Sequence, residues 1–527
     1  MPSAVTWPEL AAAISLAADT GMAQPLESGL ATCLVADRLS AQLALSPDVR
    51  RRVYYLSLLQ HIGCTAASAE MATVLGDEMV MRQHSATLDF SDQRQLLRFM
   101  LSHVARTNAP LARPAALARL LVLGRAYGDI SKDVCEAAQI LGRRCGYDPD
   151  HLTDLASSYE NWDGSGFPGK AAGEAIPLPV RVVQVASLAV AGHRHGGVRG
   201  GADLVRERSG RGLDPSVSVA FLADPDMVLA PIQVVGSLWD AVVAAAPEVA
   251  PMAPDEVDDA LRAIADFTDL KSPYLIGHSS GVAELAAHAA VVAGLEPEYM
   301  CLLRRAGYVH DIGRIGISAS IWGRPGPLRP DEWELVRLHP YYTDRVLDRT
   351  PFLRELSAVA SQHHERLDGS GYSRGIERMP KPARILAAAD VYHAMRERRP
   401  HRPALTPQAA ATQLHAEVGA RHLDGNAVDA VLEAVANPVP TDLPTIPGLT
   451  AAEVGVLIEV GRGRDNKEIG RTLGLAAKQV DGMLASIYPT IGVGTRAGAT
   501  LYALERRIVP TIVRASPHSG ARSRYAD

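Results

Sequence analysis

Apolar residues recur at i, i+3, i+4 and i+7 over residues 256–267 (EVDDALRAIADF), 282–295 (VAELAAHAAVVAGL) and 383–395 (ARILAAADVYHAM). That spacing is the stripe of a helix with one buried face. Period-two alternation is scarce and Ala and Leu are abundant, so the pattern predicts an all-α protein. Near the C-terminus the elements are shorter. Thr450 with Glu453 three residues later forms a capping-box pattern, and Gly461 and Gly463 close the helix it opens. Asn466 is the expected cap of a second short helix, KEIGRTL, ended by Gly474, and a third runs from about Lys478 to Tyr488. Helix, glycine-containing turn and helix is the helix-turn-helix pattern.

The chain also repeats itself. Trp162-Asp163-Gly164-Ser165-Gly166-Phe167-Pro168, followed by IPLPVRVVQVASLAVA, parallels Leu367-Asp368-Gly369-Ser370-Gly371-Tyr372-Ser373, followed by MPKPARILAAADVYHAM. Gln60-His61-Ile62-Gly63 parallels Val309-His310-Asp311-Ile312-Gly313, and Leu213-Asp214 parallels Leu423-Asp424. Landmarks in one order point to a duplicated unit. The DGSG segments read as loops, since Asp and Ser bond their own backbone in turns. Proline marks the expected boundaries: residues 1–225 form a first unit, 226–254 a linker, 255–436 a second unit, and 437–448 a stiff Pro-rich linker. A small module then spans 449–510, and 511–527 is expected to be a disordered tail.

Composition narrows the class. At 527 residues the chain has room for three or four domains, and 47% hydrophobic with 21% charged residues excludes a disordered or fibrous protein. The N-terminal stretch has no basic region and carries Glu9 and Asp19, which argues against a secretory signal. No 18-residue stretch is both apolar and uncharged, so no membrane span is expected. Five isolated cysteines without a CxxC pair suit a reducing compartment, and a cytoplasmic protein is the expectation. The net charge of −6 hides an asymmetry. Residues 449–527 carry 11 basic and 7 acidic groups, or +4, which leaves −10 for the rest; any nucleic-acid contact is expected in the C-terminal module.

The second unit contains His278, His310-Asp311, His339, His363-His364 and Asp390. Imidazoles and carboxylates without thiolate suit Fe, Mn, Zn or Ni. An adjacent His-Asp lets a carboxylate bridge two ions while the imidazole binds one, and paired ions activate water and clamp an in-line phosphoryl displacement. The long intervals between these residues require several helices to converge. By the landmark matching the first unit keeps only His61: it has Leu30 for His278, Ile62 for Asp311, Ser158-Tyr159 for His363-His364 and Ser187 for Asp390. Loop and helix residues match while the proposed ligands do not, as expected if one copy holds metal and the other only a fold.

YVHDIGRIGIS, RLHPYYTDRVL, SQHHERLDGSGYSRG and KPARILAAADVYHAMRERRPHR resemble the HD-GYP class of HD-domain metal-dependent phosphohydrolases over about residues 255–436. The resemblance implies an all-α fold, hydrolysis of cyclic di-GMP to pGpG or GMP, and a site loaded with divalent transition metal. The ligands it implies are His278, His310, Asp311, His339, His363, His364 and Asp390, with Asp311 bridging. The first unit then looks like a degenerate HD copy. The name-giving Gly-Tyr-Pro reads Gly371-Tyr372-Ser373, the family lysine is Arg314, and the glutamate that accompanies a third ion is Tyr274, which favours two metals. Arg314 is the expected phosphate partner alongside Asp311 in catalysis, and Tyr372, Arg399 and Arg402 are further candidate substrate contacts.

The C-terminal module resembles the LuxR-type DNA-binding domain, through LTxxE, the Asn466-Lys467-Glu468-Ile469 run, the Gln479-Val480 pair and the closing GVxxRxxA. The resemblance implies that Lys478, Gln479 and Met483 face the groove, that Arg464, Lys467 and Arg471 neutralise phosphates, and that the protein dimerises. Ala476 replaces the usual Ser or Thr cap and only Lys478 is cationic on the reading helix, so a helical protein-interaction module is the alternative. Two alternatives stand beside the cyclic di-GMP phosphodiesterase: a regulator whose HD unit senses a nucleotide without turnover, and an HD phosphohydrolase for another phosphorylated substrate.

Overall fold

The computed structural model describes residues 4–85, 87–89, 92–99, 102, 130–234, 236–437 and 446–509. The expected tail 511–527 and most of the Pro-rich linker 437–448 lie outside the described residues. Among the described residues the secondary structure is helical, with only isolated β-bridges. Proline starts much of it. Pro47, Pro225, Pro254, Pro297, Pro330 and Pro351 each occupy the first position of a helix, where a missing N–H costs nothing.

In the first unit α1 (Trp7–Gly21), α2 (Ser28–Gln42), α3 (Pro47–Leu59) and the long, kinked α4 (Leu178–Arg208) surround one another. Residues 226–254, expected as a linker, instead carry α5 (Pro225–Val234) and α6 (Leu238–Ala244), whose Val228, Leu229, Trp239 and Val242 are buried against the first unit's core. Of the prolines read as interruptions, Pro254 starts α7, while Pro247 and Pro251 lie between helices.

The second unit is built from α7 (Pro254–Asp269), α8 (His278–Val292), α9 (Pro297–Val309), α10 (Pro330–Val336), α11 (His339–Leu347), α12 (Pro351–Ala360), α13 (Lys381–Arg396), α14 (Pro407–Gly419) and α15 (Gly425–Ala436). The predicted helices at 256–267, 282–295 and 383–395 fall within α7, α8 and α13, except that α8 stops at Val292.

The two units share local construction. α2 and α8 are both 15 residues long, α3 and α9 both 13. Asp19 accepts the Gly29 amide at 3.1 Å as Asp269 accepts that of Ser279 at 2.8 Å. Glu160 accepts from the Lys170 amide at 2.8 Å and Glu365 from that of Arg374 at 2.7 Å. Arg181 pairs with Asp214 at 2.7 Å, Arg384 with Asp424 at 2.9 Å. This register corrects the landmark matching at two places. Ser28, not Leu30, stands at the start of α2 where His278 starts α8. Because α3 and α9 are equally long, Gln60 caps α3 where His310 caps α9, and His61 falls opposite Asp311. The gap that paired His61 with His310 is absent from the fold.

One continuous apolar core runs through both units. α1 packs on the turn Ile312–Gly316 that follows Asp311, with Gly21 against Ile315. The most demanding contact between units is ionic: Lys271 and Glu78, each 0% exposed, pair at 2.8 Å. Glu78 also accepts from the Ser318 hydroxyl and the Ala319 amide, both at 2.9 Å.

The C-terminal module has its own small core and four helices: α16 (Ala451–Gly461), α17 (Asn466–Leu473), α18 (Ala477–Ile491) and α19 (Arg496–Glu505). The Thr450–Glu453 capping box is present. The cap of α17 is Asp465, which accepts the Glu468 amide at 2.8 Å, so Asn466 is the first helical residue rather than the cap. The module docks on the second unit: Arg398 pairs with Glu468, and Arg262 donates to the Leu504 carbonyl at 2.8 Å. Glu136 of the first unit accepts the Gly494 amide at 2.6 Å. Among the described residues no single helix is long and apolar enough to cross a membrane.

Breaking a buried ion pair from one side leaves an uncompensated charge, at a cost of about 3–5 kcal/mol. Glu78→Ala is therefore expected to lower the denaturant midpoint sharply, and Glu78→Met with Lys271→Met to recover most of the loss. Equal midpoints for Glu78→Ala and the wild type would contradict the packing described.

Candidate metal centre

Helix ends build the site. α9, α10 and α12 stop just short of His310, His339 and His363. The last carbonyls of a helix lack intrahelical partners, and here they take up imidazole N–H groups. Nδ1 of His310 donates to the Gly307 carbonyl at 2.8 Å, His339 to Val336 at 2.6 Å and His363 to Ala360 at 2.7 Å. In each case Nε2 is left to face the interior. His278 arrives from the opposite kind of end. Gly277, at φ 77°, turns the chain into α8 so that His278 is its first residue, and Asp269 secures that end through Ser279. Asp390 comes from the middle of α13. Gly313 lets the His310–Asp311 turn lie on α11, since a Cβ there would sit 2.0 Å from the His339 carbonyl oxygen.

These elements converge on Asp311, which is fully buried. Its Oδ2 lies 3.4 Å from His278 Nε2 and 3.1 Å from His310 Nε2; its Oδ1 lies 3.5 Å from His339 Nε2 and 3.4 Å from His363 Nε2. Asp390 Oδ1 is 3.1 Å from His278 Nε2 and 3.7 Å from His310 Nε2. His339 and His363 approach to 3.1 Å between their Nε2 atoms, and the His364 ring lies 4.9 Å from that of His339. Two groups of possible ligands follow, His278 with His310 and Asp311, and His339 with His363 and His364, one on each side of the carboxylate.

The donor set fits metal. Both carboxylate oxygens of Asp311 and the Nε2 of His310 are buried without a hydrogen-bond partner, which is costly unless something else satisfies them. Nitrogen and oxygen donors without sulfur suit first-row divalent ions. The fields around the two sides differ. Burial opposes charge on His310, but Asp311 and Asp390 raise it to about 9. Burial lowers His339 to about 3 and holds His364 well below the usual imidazole range. Burial likewise opposes ionisation of Asp311, yet Arg314 and His310 hold it well below the carboxylate range.

Of the candidate substrate contacts, Arg314 ion-pairs with Asp311 and lies 5.3 Å over the Trp322 ring. Tyr372 stacks on His364 at 4.8 Å beneath Arg337, with the half-exposed Trp333 6.5 Å away. Arg399 and Arg402 are placed otherwise. Arg399 pairs with Glu397 at 2.6 Å and donates to the Tyr274 carbonyl at 3.0 Å; Arg402 caps the end of α13, donating to the Ala394 carbonyl at 2.6 Å. Their guanidinium groups are engaged within the fold rather than held out for an anion. In the C-terminal module Lys467, Arg471, Lys478 and Gln479 are exposed, Arg464 is paired with Glu459 at 2.6 Å, and Met483 packs partly against the module's core.

Sequence reasoning passed over Glu397 and His393, which form a third group with His278. The signal was present: Asp390, His393 and Glu397 follow i, i+3, i+7 spacing, one face of a helix.

Residues 262–427 match the HD domain family. Particular relatives follow. A 3'3'-cGAMP-specific phosphodiesterase of Vibrio cholerae is 26% identical over 405 residues, covering 75% of this chain and 88% of that protein. A cyclic di-GMP phosphodiesterase response regulator of Xanthomonas campestris is 38% identical over 167 residues, covering 30% of this chain and 44% of its own length. The crystal structure of a cyclic GMP-AMP-specific phosphodiesterase of V. cholerae superposes with a TM-score of 0.56 at 23% identity, covering 82% of this chain and 98% of that one, which establishes a shared fold. An HD domain with these relatives supports a phosphodiesterase enzyme.

Both groups of imidazoles converge on Asp311, so its removal should empty the site. Asp311→Ala is expected to lower bound transition metal by more than about 10-fold, read by elemental analysis of anaerobically purified protein with helical circular dichroism unchanged. Undiminished metal would remove Asp311 from the centre.

Proposed function

We propose that this chain hydrolyses a cyclic dinucleotide, cyclic di-GMP to pGpG or GMP or the related 3'3'-cGAMP, at a two-metal HD centre in residues 255–436. The observation that carries the reading is Asp311, each of whose oxygens faces its own pair of imidazoles. His278, His310 and Asp390 would hold one ion and His339, His363 and His364 the other, with Asp311 offering a carboxylate oxygen to each group. Ions held there, iron, manganese, zinc or nickel by donor type, would supply Lewis acidity and water activation for phosphodiester cleavage. Arg314, anchored on Trp322, presents its guanidinium beside the bridging carboxylate, where phosphate charge develops. The relatives' substrates support the dinucleotide class.

The first unit is a ligand-less HD copy in this reading. Ser28, Gln60 and His61 stand where the second unit has His278, His310 and Asp311, and His61 bonds to the Tyr159 hydroxyl at 3.0 Å. Residues 449–510 are a LuxR-type DNA-binding module. The exposed Lys478 and Gln479 of α18 read the groove, and Lys467 and Arg471 meet phosphates. Its thin basic charge makes binding weak.

Metal-loaded protein is expected to convert cyclic di-GMP or 3'3'-cGAMP to linear products on chromatography. Arg314→Ala should lower kcat/KM by about 10²–10³-fold, the usual loss for one charge-stabilising donor. Tight binding of the intact nucleotide without turnover would replace the enzyme with a sensor. For the C-terminal module, Lys467→Ala is expected to reduce the salt dependence of duplex-DNA binding by about 0.9 in the log–log slope, the loss of one phosphate contact. Absence of any DNA binding at low salt would leave the module an interaction domain.

A further inference from the structure

We propose that Glu397 is the positioning residue of the first metal site. It fixes His278 with Nδ1 protonated and Nε2 turned toward Asp311 and Asp390, and without it that site loses its ion while the second keeps its own. The inference rests on the two-metal reading above.

The need for such a residue follows from where His278 stands. His310, His339 and His363 sit beyond helix C-termini, and free carbonyls three residues back hold their Nδ1 atoms. His278, like His339, is the first residue of a helix, but α7 stops at Asp269 and a turn, not a helix end, leads into it. A helix N-terminus offers N–H donors, not acceptors. The acceptor must come from a side chain, and Glu397 Oε2 lies 3.0 Å from His278 Nδ1. The opposite face of the ring then meets Asp390 Oδ1 at 3.1 Å and Asp311 Oδ2 at 3.4 Å. An imidazole whose second nitrogen donates to a carboxylate has its ring orientation and tautomer set and is the more basic ligand.

Glu397 is itself held by Arg399, whose Nη2 donates to Oε2 at 2.6 Å; His393 Nδ1 lies 3.0 Å from Oε1, close enough to pack against the carboxylate but without hydrogen-bond geometry. His393 fits because residue 281 is glycine: a Cβ there would lie 2.0 Å from His393 Nε2. This gives Arg399 a purpose that the substrate-contact expectation missed. It steadies the carboxylate that steadies the ligand.

The test compares wild type, Glu397→Gln and Arg399→Gln as full-length proteins, anaerobically loaded with Mn(II) and dialysed against graded chelator. The wild type is expected to retain two ions per chain. Glu397→Gln should release one of them at about 10–100-fold lower chelator strength and keep the other; Arg399→Gln should show a smaller shift of the same ion. The metal-induced rise in melting temperature should shrink in Glu397→Gln while the metal-free protein melts as the wild type does. Equal retention of both ions by Glu397→Gln, or an equal fall in stability with and without metal, would overturn the positioning role alone. A wild type that holds no ion would overturn the two-metal reading and this inference with it.

Discussion

A carboxylate is expensive to bury in proportion to how completely it is removed from water, unless charge meets it there. Asp311 is fully buried, its charge met by the Arg314 guanidinium, and the surrounding helices bring two imidazoles toward each of its oxygens. That convergence dictates where helices end. Three must stop within a few residues of the same point, each presenting its last carbonyls to an imidazole. Two begin there, α11 at His339 and α8 at His278, the latter with a left-handed glycine before it. The chain between these ends is comparatively free, which is why the ligands can lie far apart in sequence and still share one pocket.

The same logic separates the two halves of the chain. They use the same caps, the same carboxylates on loop amides and the same arginine–aspartate pairs, because those interactions make the shape. They differ at the histidine and aspartate cluster. Opposite Asp311 the first half has His61, bonded to the Tyr159 hydroxyl, and opposite His278 it has Ser28.

How much of this was legible depended on the range of each interaction. The Thr450–Glu453 capping box lies within three residues, and the sequence states it outright. Amphipathic stripes located α7, α8 and α13, since one buried face is a local property. Over 226–254 the prolines told only part of the story: Pro247 and Pro251 do separate helices, but Pro254 starts one, and the apolar residues of α5 and α6 ahead of them were passed over. The offset between the copies slipped because matching letters rewarded His against His, while equal helix lengths, invisible to that comparison, set the true register. The ligand set could be assembled only by resemblance, since no periodicity tells helices tens of residues apart to meet. Glu397 was missed for a different reason: an acidic residue inside a basic run reads as surface, and its partner His278 lies on another helix.

Lys271 has its carboxylate partner in the opposite half of the chain, and both groups are shut away from water. Neither half can therefore be cut away without wetting a charge, and the apolar surface around it, that the other half now covers.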